Sequence, residues 1–267
     1  MFRRIFTNLY LLFFINGFML AGLIYLRHED MYERDLFTAI ASKIKADLKT
    51  EDKDTFLIKS LQMAYNLQHN RQSIFGDAQS ITSTDNNSIL HSATEDLMAA
   101  KGACGSYSIV LARILKANAC EVRIGQMKVN GQFGGHIVVE TKIKNRWIIV
   151  DPTFNLYFKR PDGQLASFSD VSKNWDYYKQ QVPPDYVADY KYEDIRYANW
   201  TKIPIIMPAI KKVLDITMGK DAADHFSIRP KIIRMHHFLF IICLWIYIPL
   251  CILMGWLLLK RRRILKK

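Results

Sequence analysis

Two apolar segments near the ends of the chain constrain its architecture most. Residues 5–26 and 238–259 are each 22 residues long and carry no charge. A helix needs about 20 apolar residues to cross the hydrocarbon core of a bilayer, so both segments are long enough to span it. Pro249 in the second segment is compatible with a membrane helix. The sequence therefore predicts two transmembrane helices with one substantial domain between them.

The first segment has an alternative interpretation as a cleaved secretory signal peptide. Its apolar stretch is longer than that of a signal peptide. It also exits through Ile24-Tyr-Leu-Arg-His-Glu29, which offers no pair of small residues as a cleavage site. This pattern favours an uncleaved anchor.

The basic residues predict how the chain is oriented. Arg3 and Arg4 precede the first segment, and six basic residues follow the second within residues 260–267. Because cytoplasmic loops are enriched in Lys and Arg, both termini are expected in the cytoplasm of a bacterial cell and the middle outside it. The predicted parts are an N-terminal anchor at 1–27, an extracytoplasmic domain at 28–235, and a second span with a basic tail at 236–267.

The net charge of +12 belongs mostly to the two tails. They hold 8 of the 37 basic residues and none of the 25 acidic ones, which leaves 29 basic and 25 acidic residues, a net +4, elsewhere. A nucleic-acid-binding domain needs a concentrated basic surface. The charge therefore predicts a membrane topology and no nucleic-acid partner.

The four cysteines divide by location. Cys243 and Cys251 lie in the second apolar segment, where a small apolar residue is the simplest interpretation. Cys104 and Cys120 lie in the exported part, where disulfides are common. If one helix joins them, roughly 24 Å separates the two residues at 1.5 Å per residue, whereas a disulfide needs Cα atoms within about 7 Å. Cys104 is therefore expected to be a free thiol.

The middle of the chain mixes helical and strand patterns. Apolar residues at 107, 110, 111, 114 and 115 form one helical stripe directly after Cys104. Stretches rich in β-branched residues follow it, and residues 70–92 are polar and predict a loop. The other predicted elements are helices within 30–68, strands at 121–129, 136–142 and 146–150, and a helix at 208–218 closed by Gly219.

Cys104 and His136 form a candidate nucleophile and base. The first turn of a helix favours an anion, so a thiolate is stabilised there. Gly102 and Gly105 flank the cysteine and are expected to let the backbone turn sharply. His136 is predicted to open a strand after a glycine-punctuated loop, from where its imidazole can take the thiol proton.

Asp151 completes a candidate triad if the two strands around it pair in one register. With a two-residue turn at Lys144-Asn145, Ile143 pairs with Arg146, and the numbers of any two paired residues sum to 289. In this register His136 and Asp151 lie on the same sheet face as diagonal neighbours. A three-residue turn would place them on opposite faces. In the first register, Asp151 would orient His136 and stabilise the imidazolium.

Each of these residues has an ordinary structural explanation as well. A small cysteine is more often packed than catalytic, a histidine at a strand start is usually a surface residue, and an aspartate before proline usually ends a strand. The combination in one region favours catalysis, because chance rarely supplies all three in compatible positions.

These motifs carry a family resemblance over residues 101–156. Gly102-Ala-Cys104, the strand beginning at His136, and Trp147-Ile-Ile-Val-Asp151-Pro-Thr153 resemble the core of the transglutaminase-like superfamily, in order and spacing. The resemblance implies an α+β, papain-like domain in which a catalytic helix packs on an antiparallel sheet. It assigns residues 93–157 to the core and 158–235 to a Tyr- and Pro-rich extension.

The resemblance also implies an activity. Members of this superfamily are cysteine proteases, hydrolases or acyltransferases that work through a Cys thioester, here with Cys104, His136 and Asp151 as the catalytic triad. No metal or organic cofactor is implied. Location alone points to a peptide or glycan-linked amide substrate in cell-envelope or surface-polysaccharide metabolism, with the bilayer and envelope-assembly proteins as partners.

The oxyanion donor beyond the backbone N–H of Cys104 is left open by the sequence. The resemblance places this group upstream of the cysteine, where Gln79, Asn86 and Asn87 are candidates. His91 is an alternative base, although a loop histidine is the simpler interpretation.

Two other functions compete with this one. A leader-cleaving cysteine peptidase also pairs Cys-Gly with a histidine strand and Asp-Pro, but its cysteine lies near the start of the domain and it accompanies an ATP-binding transporter. This chain has about 75 exported residues before Cys104 and no Gly-Lys-Ser/Thr phosphate loop. The non-enzymatic alternative is a scaffold of the same fold in envelope assembly.

The tyrosine-rich segment after the predicted triad has two interpretations. Seven tyrosines lie in residues 157–230, and part of this segment is predicted to fold over the active-site cleft; the alternative is core packing and a tether. Residues 208–218 are also compatible with a helix at the membrane surface, with Ile210, Val213 and Leu214 in the lipid and Lys211 and Lys212 near headgroups.

Overall fold

The computed structural model describes residues 8–48, 52–75, 92–99 and 104–265. The chain divides into two units. We call residues 1–34 with 234–267 the terminal-helix unit, and residues 35–233 the central unit.

The described chain is α+β, which confirms the predicted fold class at that level. Its helices are α1 (Leu9–Ala46), α2 (Lys53–Phe75), α3 (Ala93–Ala99), α4 (Cys104–Ala117), α5 (Phe168–Lys173), α6 (Trp175–Tyr178), α7 (Ile206–Met218), α8 (Lys220–Asp224), α9 (Arg229–Ile232) and α10 (Met235–Leu265). Its strands are β1 (Val122–Val129), β2 (Gln132–Ile143), β3 (Arg146–Asp151), β4 (Leu156–Tyr157) and β5 (Ile195–Arg196).

The terminal-helix unit contains the first part of α1 and all of α10. Both helices are long and apolar enough to cross a membrane, and α10 continues through Pro249. Polar side chains join the two helices: the Cys251 thiol lies 3.3 Å from Asn16 Oδ1, and Asp30 accepts hydrogen bonds from Arg234. The two predicted apolar segments therefore form helices that contact each other.

The helices before Cys104 follow the predicted pattern with one correction. The helices predicted within 30–68 are α1, which ends at Ala46, and α2, which begins at Lys53, and Asp52 caps α2 by accepting the Thr55 N–H at 2.9 Å. The predicted loop at 70–92 is wrong at its start, because α2 continues to Phe75. The rest of that loop lies outside the described residues, apart from Ser92, which caps α3.

The sheet has five antiparallel strands in the order β4-β3-β2-β1-β5. The turn between β2 and β3 is Lys144-Asn145, with φ values of 48° and 64°. Two central residues with positive φ define the tight turn whose twist matches that of the strands. Ile143 pairs with Arg146 and Val139 with Val150, so the predicted register is confirmed.

The strand that carries His136 begins earlier than predicted. Strand β2 starts at Gln132 and His136 is its fifth residue, so the predicted glycine loop before His136 is wrong. A two-residue turn at Asn130-Gly131, both with positive φ, joins β1 to β2. Met127 pairs with His136 and Lys128 with Phe133, so Gly134 and Gly135 are two extra residues of β2 at a bulge.

The two faces of the sheet are covered by different parts of the chain. Apolar residues of α4, such as Leu111, pack with Val139 and Val150 in one cluster. Val138 and Ile149 point to the other face, where aromatic residues from the segment after β4 cover them. Alternation along the strands puts His136 and Asp151 on this second face.

The helix predicted at 208–218 is confirmed as α7, which starts two residues earlier, at Ile206. Gly219 follows it with φ of 85° and its N–H bonds to the Asp215 carbonyl. A left-handed residue after the last turn is a common helix end, and glycine adopts it without strain.

Candidate active site

Cys104 is the first residue of α4 and is half-buried. The helix is tied to the sheet close to this residue, because the Ser108 hydroxyl donates to the Ile137 carbonyl at 3.2 Å. Ile137 is the strand residue next to His136. Packing and hydrogen bonding therefore fix the start of α4 against the part of β2 that carries the histidine.

The expectation that glycines shape the backbone around Cys104 is not met at Gly105. This residue is inside α4 without a positive φ, and a Cβ there would touch only Ile137 Cδ1, at 3.7 Å. A helical position of this kind accepts other residues. Gly102 lies outside the described residues.

His136 and Asp151 form a buried hydrogen-bonded pair. His136 Nε2 lies 2.6 Å from Asp151 Oδ2, and the two side chains are 1% and 0% exposed. The second carboxylate oxygen, Oδ1, accepts the backbone N–H of Thr153 at 3.1 Å. Both oxygens of Asp151 are thus engaged, and the imidazole has one fixed orientation.

The environment of the pair favours the protonated imidazole. Burial alone would lower the pKa of His136, but the charge and hydrogen bond of Asp151, with a smaller contribution from Cys104, raise it to about 9. A neighbouring carboxylate stabilises an imidazolium most effectively where water is excluded.

The other ring nitrogen is left for Cys104. Nδ1 of His136 is buried and has no hydrogen-bond partner at normal geometry among the described residues, while Cys104 is close enough to raise the His136 pKa. The Cys104–His136 contact is therefore longer or less well aligned than a normal hydrogen bond. Resting catalytic sites are often loose in this way.

Aromatic residues from the extension cover the pair. The Tyr190 ring stacks on His136 with centroids 4.1 Å apart and planes inclined by 14°, and Phe154 lies 5.9 Å from the imidazole. The pKa of Tyr190 is raised by burial and then by the charges of Cys104 and Asp151. Part of the segment at 157–230 therefore lies over the site, as predicted.

Arg229 also acts on Cys104 electrostatically. Its pKa is lowered by burial and by the charge of Arg196, and the negative charge available at Cys104 opposes that shift. Neither Arg229 nor Tyr190 was predicted from the sequence, because both reach the site through long-range folding and neither lies in a recognisable motif.

Other predicted candidates have different outcomes. Gln79, Asn86, Asn87 and His91 lie outside the described residues. Cys104 and Cys120 are both free thiols. Within the ranges that the structure describes, no three His, Cys, Asp or Glu side chains are grouped so that they could hold a metal ion.

No family model, curated protein or solved structure matches the chain. The geometry of the site is therefore the basis on which its chemistry is inferred. The site consists of a half-buried thiol at a helix start, a buried histidine beside it and an aspartate that fixes the histidine.

Proposed function

We propose that the protein is a membrane-anchored cysteine enzyme of transglutaminase-like type, acting on amide or peptide bonds through a thioester on Cys104. The buried hydrogen bond of 2.6 Å between His136 Nε2 and Asp151 Oδ2 carries this proposal. This bond occupies Nε2, so Nδ1 is the ring nitrogen that is available to Cys104. A cysteine with a purely structural role would not require a neighbouring histidine whose pKa is raised and whose orientation is fixed by Asp151.

The reaction uses the three residues in separate roles. Transfer of the Cys104 proton to the neutral His136 at Nδ1 gives a thiolate and the imidazolium that the raised pKa of His136 favours, and the thiolate then attacks the carbonyl carbon of the amide. As the tetrahedral intermediate collapses, the C–N bond breaks and the imidazolium gives its proton to the leaving amine, which leaves an acyl group on Sγ. Water or another amine, deprotonated by His136, then attacks the thioester and releases the thiol. No oxidant, metal or cofactor is consumed.

Asp151 supports each proton transfer without receiving a proton. Its charge stabilises the imidazolium that forms in both halves of the reaction, and its hydrogen bond holds the ring in one orientation. Burial strengthens both effects, because the interaction between the charges is poorly screened. The start of α4 adds the partial positive charge of a helix N-terminus at the sulfur.

The membrane helices indicate where the substrate is found. With basic residues at both ends of the chain, we infer that both termini are cytoplasmic and that the central unit lies outside the cytoplasmic membrane. A peptide or glycan-linked amide of the cell envelope is then the accessible substrate class.

An activated ester tests the proposed chemistry without knowledge of the natural substrate. Full-length protein incubated with p-nitrophenyl acetate should release a burst of p-nitrophenolate and carry one acetyl group on Cys104, which hydroxylamine removes. Cys104→Ala and His136→Gln should abolish the burst. Equal release by wild type and Cys104→Ala, or acetylation of Cys120 alone, would contradict the proposal and favour a non-catalytic scaffold.

A further inference from the structure

Helix α7 presents its apolar side to solvent. Ile206, Ile210, Val213 and Ile216 recur at helical spacing and are 56%, 41%, 58% and 77% exposed. No residue of this 13-residue helix is buried. A soluble domain normally turns such a stripe inward, so the exposed stripe requires an apolar partner.

The apolar side extends beyond the helix at its start. Ile203 is 48% exposed and Ile205 is 85% exposed. Ile205 adopts φ of 70°, a conformation that β-branched residues rarely take, directly before the first turn. The segment therefore exposes six large apolar side chains within residues 203–216.

Polar residues occupy a different side of the helix. Lys211 bonds to Asp215 at 2.6 Å and to Asp224 of α8 at 2.8 Å, so it faces the neighbouring helix. Lys202, Lys212 and Lys220 are close to the apolar residues in the chain and are exposed. An apolar stripe bordered by lysines is the pattern of helices that lie in the interface of an anionic bilayer.

The connection between α7 and the second candidate span is short, so α7 can reach the bilayer. Only 16 residues separate Met218 from α10, the second candidate span. At no more than about 3.6 Å per residue, this connection is shorter than roughly 60 Å even if fully extended. Helices α8 and α9 lie within it and shorten it further.

We propose that α7 is an interfacial helix, whose exposed apolar side inserts into the headgroup–acyl boundary of the membrane that the terminal helices cross. Lys202, Lys212 and Lys220 then lie at headgroup level, where their charges meet anionic phosphates. The helix is a third membrane contact of the protein, independent of whether the central unit is an enzyme.

Site-directed spin labelling measures this contact directly. The full-length chain, with its four cysteines replaced by alanine, is reconstituted into phosphatidylcholine–phosphatidylglycerol vesicles. Single labels are introduced through Ile206→Cys, Ile210→Cys and Val213→Cys, with Lys212→Cys as the adjacent polar-side control and Asp162→Cys as a control in a distant exposed turn. All five positions are exposed, so the labels disturb no packing.

The ratio of oxygen to nickel-complex accessibility reports immersion in lipid. We expect it to be severalfold higher at positions 206, 210 and 213 than at 162, and lower at 212 than at 213. Equal ratios at all five positions would overturn the proposal. Dipolar broadening at position 210 that disappears on dilution with unlabelled protein would also overturn it, since the stripe would then face a second copy of the chain.

Discussion

At the scale of single residues, the site depends on the way Asp151 controls His136. One carboxylate oxygen binds the imidazole and the other is held by the Thr153 N–H. The histidine is almost fully buried, which by itself would favour the neutral ring. The negative charge of Asp151 reverses this preference and favours the imidazolium.

Removal of this charge should lower the pKa of His136. In the wild type Asp151, with a smaller contribution from Cys104, raises the pKa of His136 to about 9; in Asp151→Asn the main opposition to burial is lost and the midpoint should fall. Carbon-13 NMR of histidine-labelled protein measures it, and ester acylation should slow at least about a hundredfold. Asp162→Asn, in an exposed turn, should leave both quantities unchanged. An unaltered His136 midpoint in Asp151→Asn would contradict this account.

Tyr190 should position His136 through its ring rather than its hydroxyl. Stacking at 4.1 Å restricts the imidazole and places the face of the ring, which attracts cations, against it. Tyr190→Ala should therefore reduce kcat for ester hydrolysis by about ten- to a hundredfold, since small displacements of catalytic groups are costly. Tyr190→Phe retains the ring and should remain near wild type. Equal losses in both variants would show that the hydroxyl matters instead.

The proximity of Cys104, His136 and Asp151 could be predicted from the sequence, whereas the side chains that surround them could not. Cys104, His136 and Asp151 occur near one another in the chain, within a helix and two strands that local patterns reveal. Tyr190 contacts His136 across 54 residues of chain, and it lies within residues 182–194, where no helix or strand is formed. No periodicity indicates such a contact.

At the scale of secondary-structure elements, the β2–β3 hairpin sets the geometry of the site. A period of two along each strand means that a shift of one residue would move Asp151 to the opposite face. The turn fixes the register, because Lys144 and Asn145 both adopt positive φ. This part was predictable from the sequence, since turn length alone determines which residues pair.

The turn offers a test that does not touch the triad. Lys144→Val places a β-branched residue at φ 48° and should lower the free energy of unfolding by about 1 kcal/mol or more. Lys144→Gly tolerates that φ and should be neutral or stabilising. Both variants lose the exposed Lys144–Asp54 contact equally. Chemical denaturation compares them; equal stabilities would mean that the turn conformation does not constrain the hairpin.

At the start of β2, the glycines predicted a loop, and this prediction was wrong. Gly131, Gly134 and Gly135 resemble loop residues, yet all but the first lie in a strand. A Cβ on Gly135 would lie 2.6 Å from Val129 Cβ, so close approach of β1 explains this glycine. The sequence shows a glycine but not the neighbour that requires it.

At the scale of the whole molecule, two apolar helices of the terminal-helix unit flank the central unit in the chain. Their apolar stretches were predictable, because a helix that spans a bilayer needs about 20 apolar residues, but the helices themselves are longer, since α1 continues to Ala46 and α10 to Leu265. Their pairing through Asn16 and Cys251 was not predictable, since it depends on rotation of each helix about its own axis. The orientation of the chain across the membrane is predicted only by the distribution of its basic residues.

Fusions to alkaline phosphatase, which is active only when exported, test the orientation. A fusion after Lys267 should be inactive, because six basic residues between 260 and 267 hold that end in the cytoplasm. An insertion at Gly163, in an exposed turn of the central unit, should be active. An active fusion after Lys267 would place the second terminus outside and contradict the predicted topology.

The central claim is that Cys104 is an activated nucleophile, and its reactivity towards iodoacetamide tests this most directly. Site-resolved mass spectrometry gives the alkylation rate of Cys104 at neutral pH, with Cys120 as an internal control, because burial raises the pKa of that thiol. We expect Cys104 to react at least about tenfold faster than Cys120, and to lose that advantage in His136→Gln. Equal rates for the two thiols, or a Cys104 rate unchanged by His136→Gln, would contradict the account.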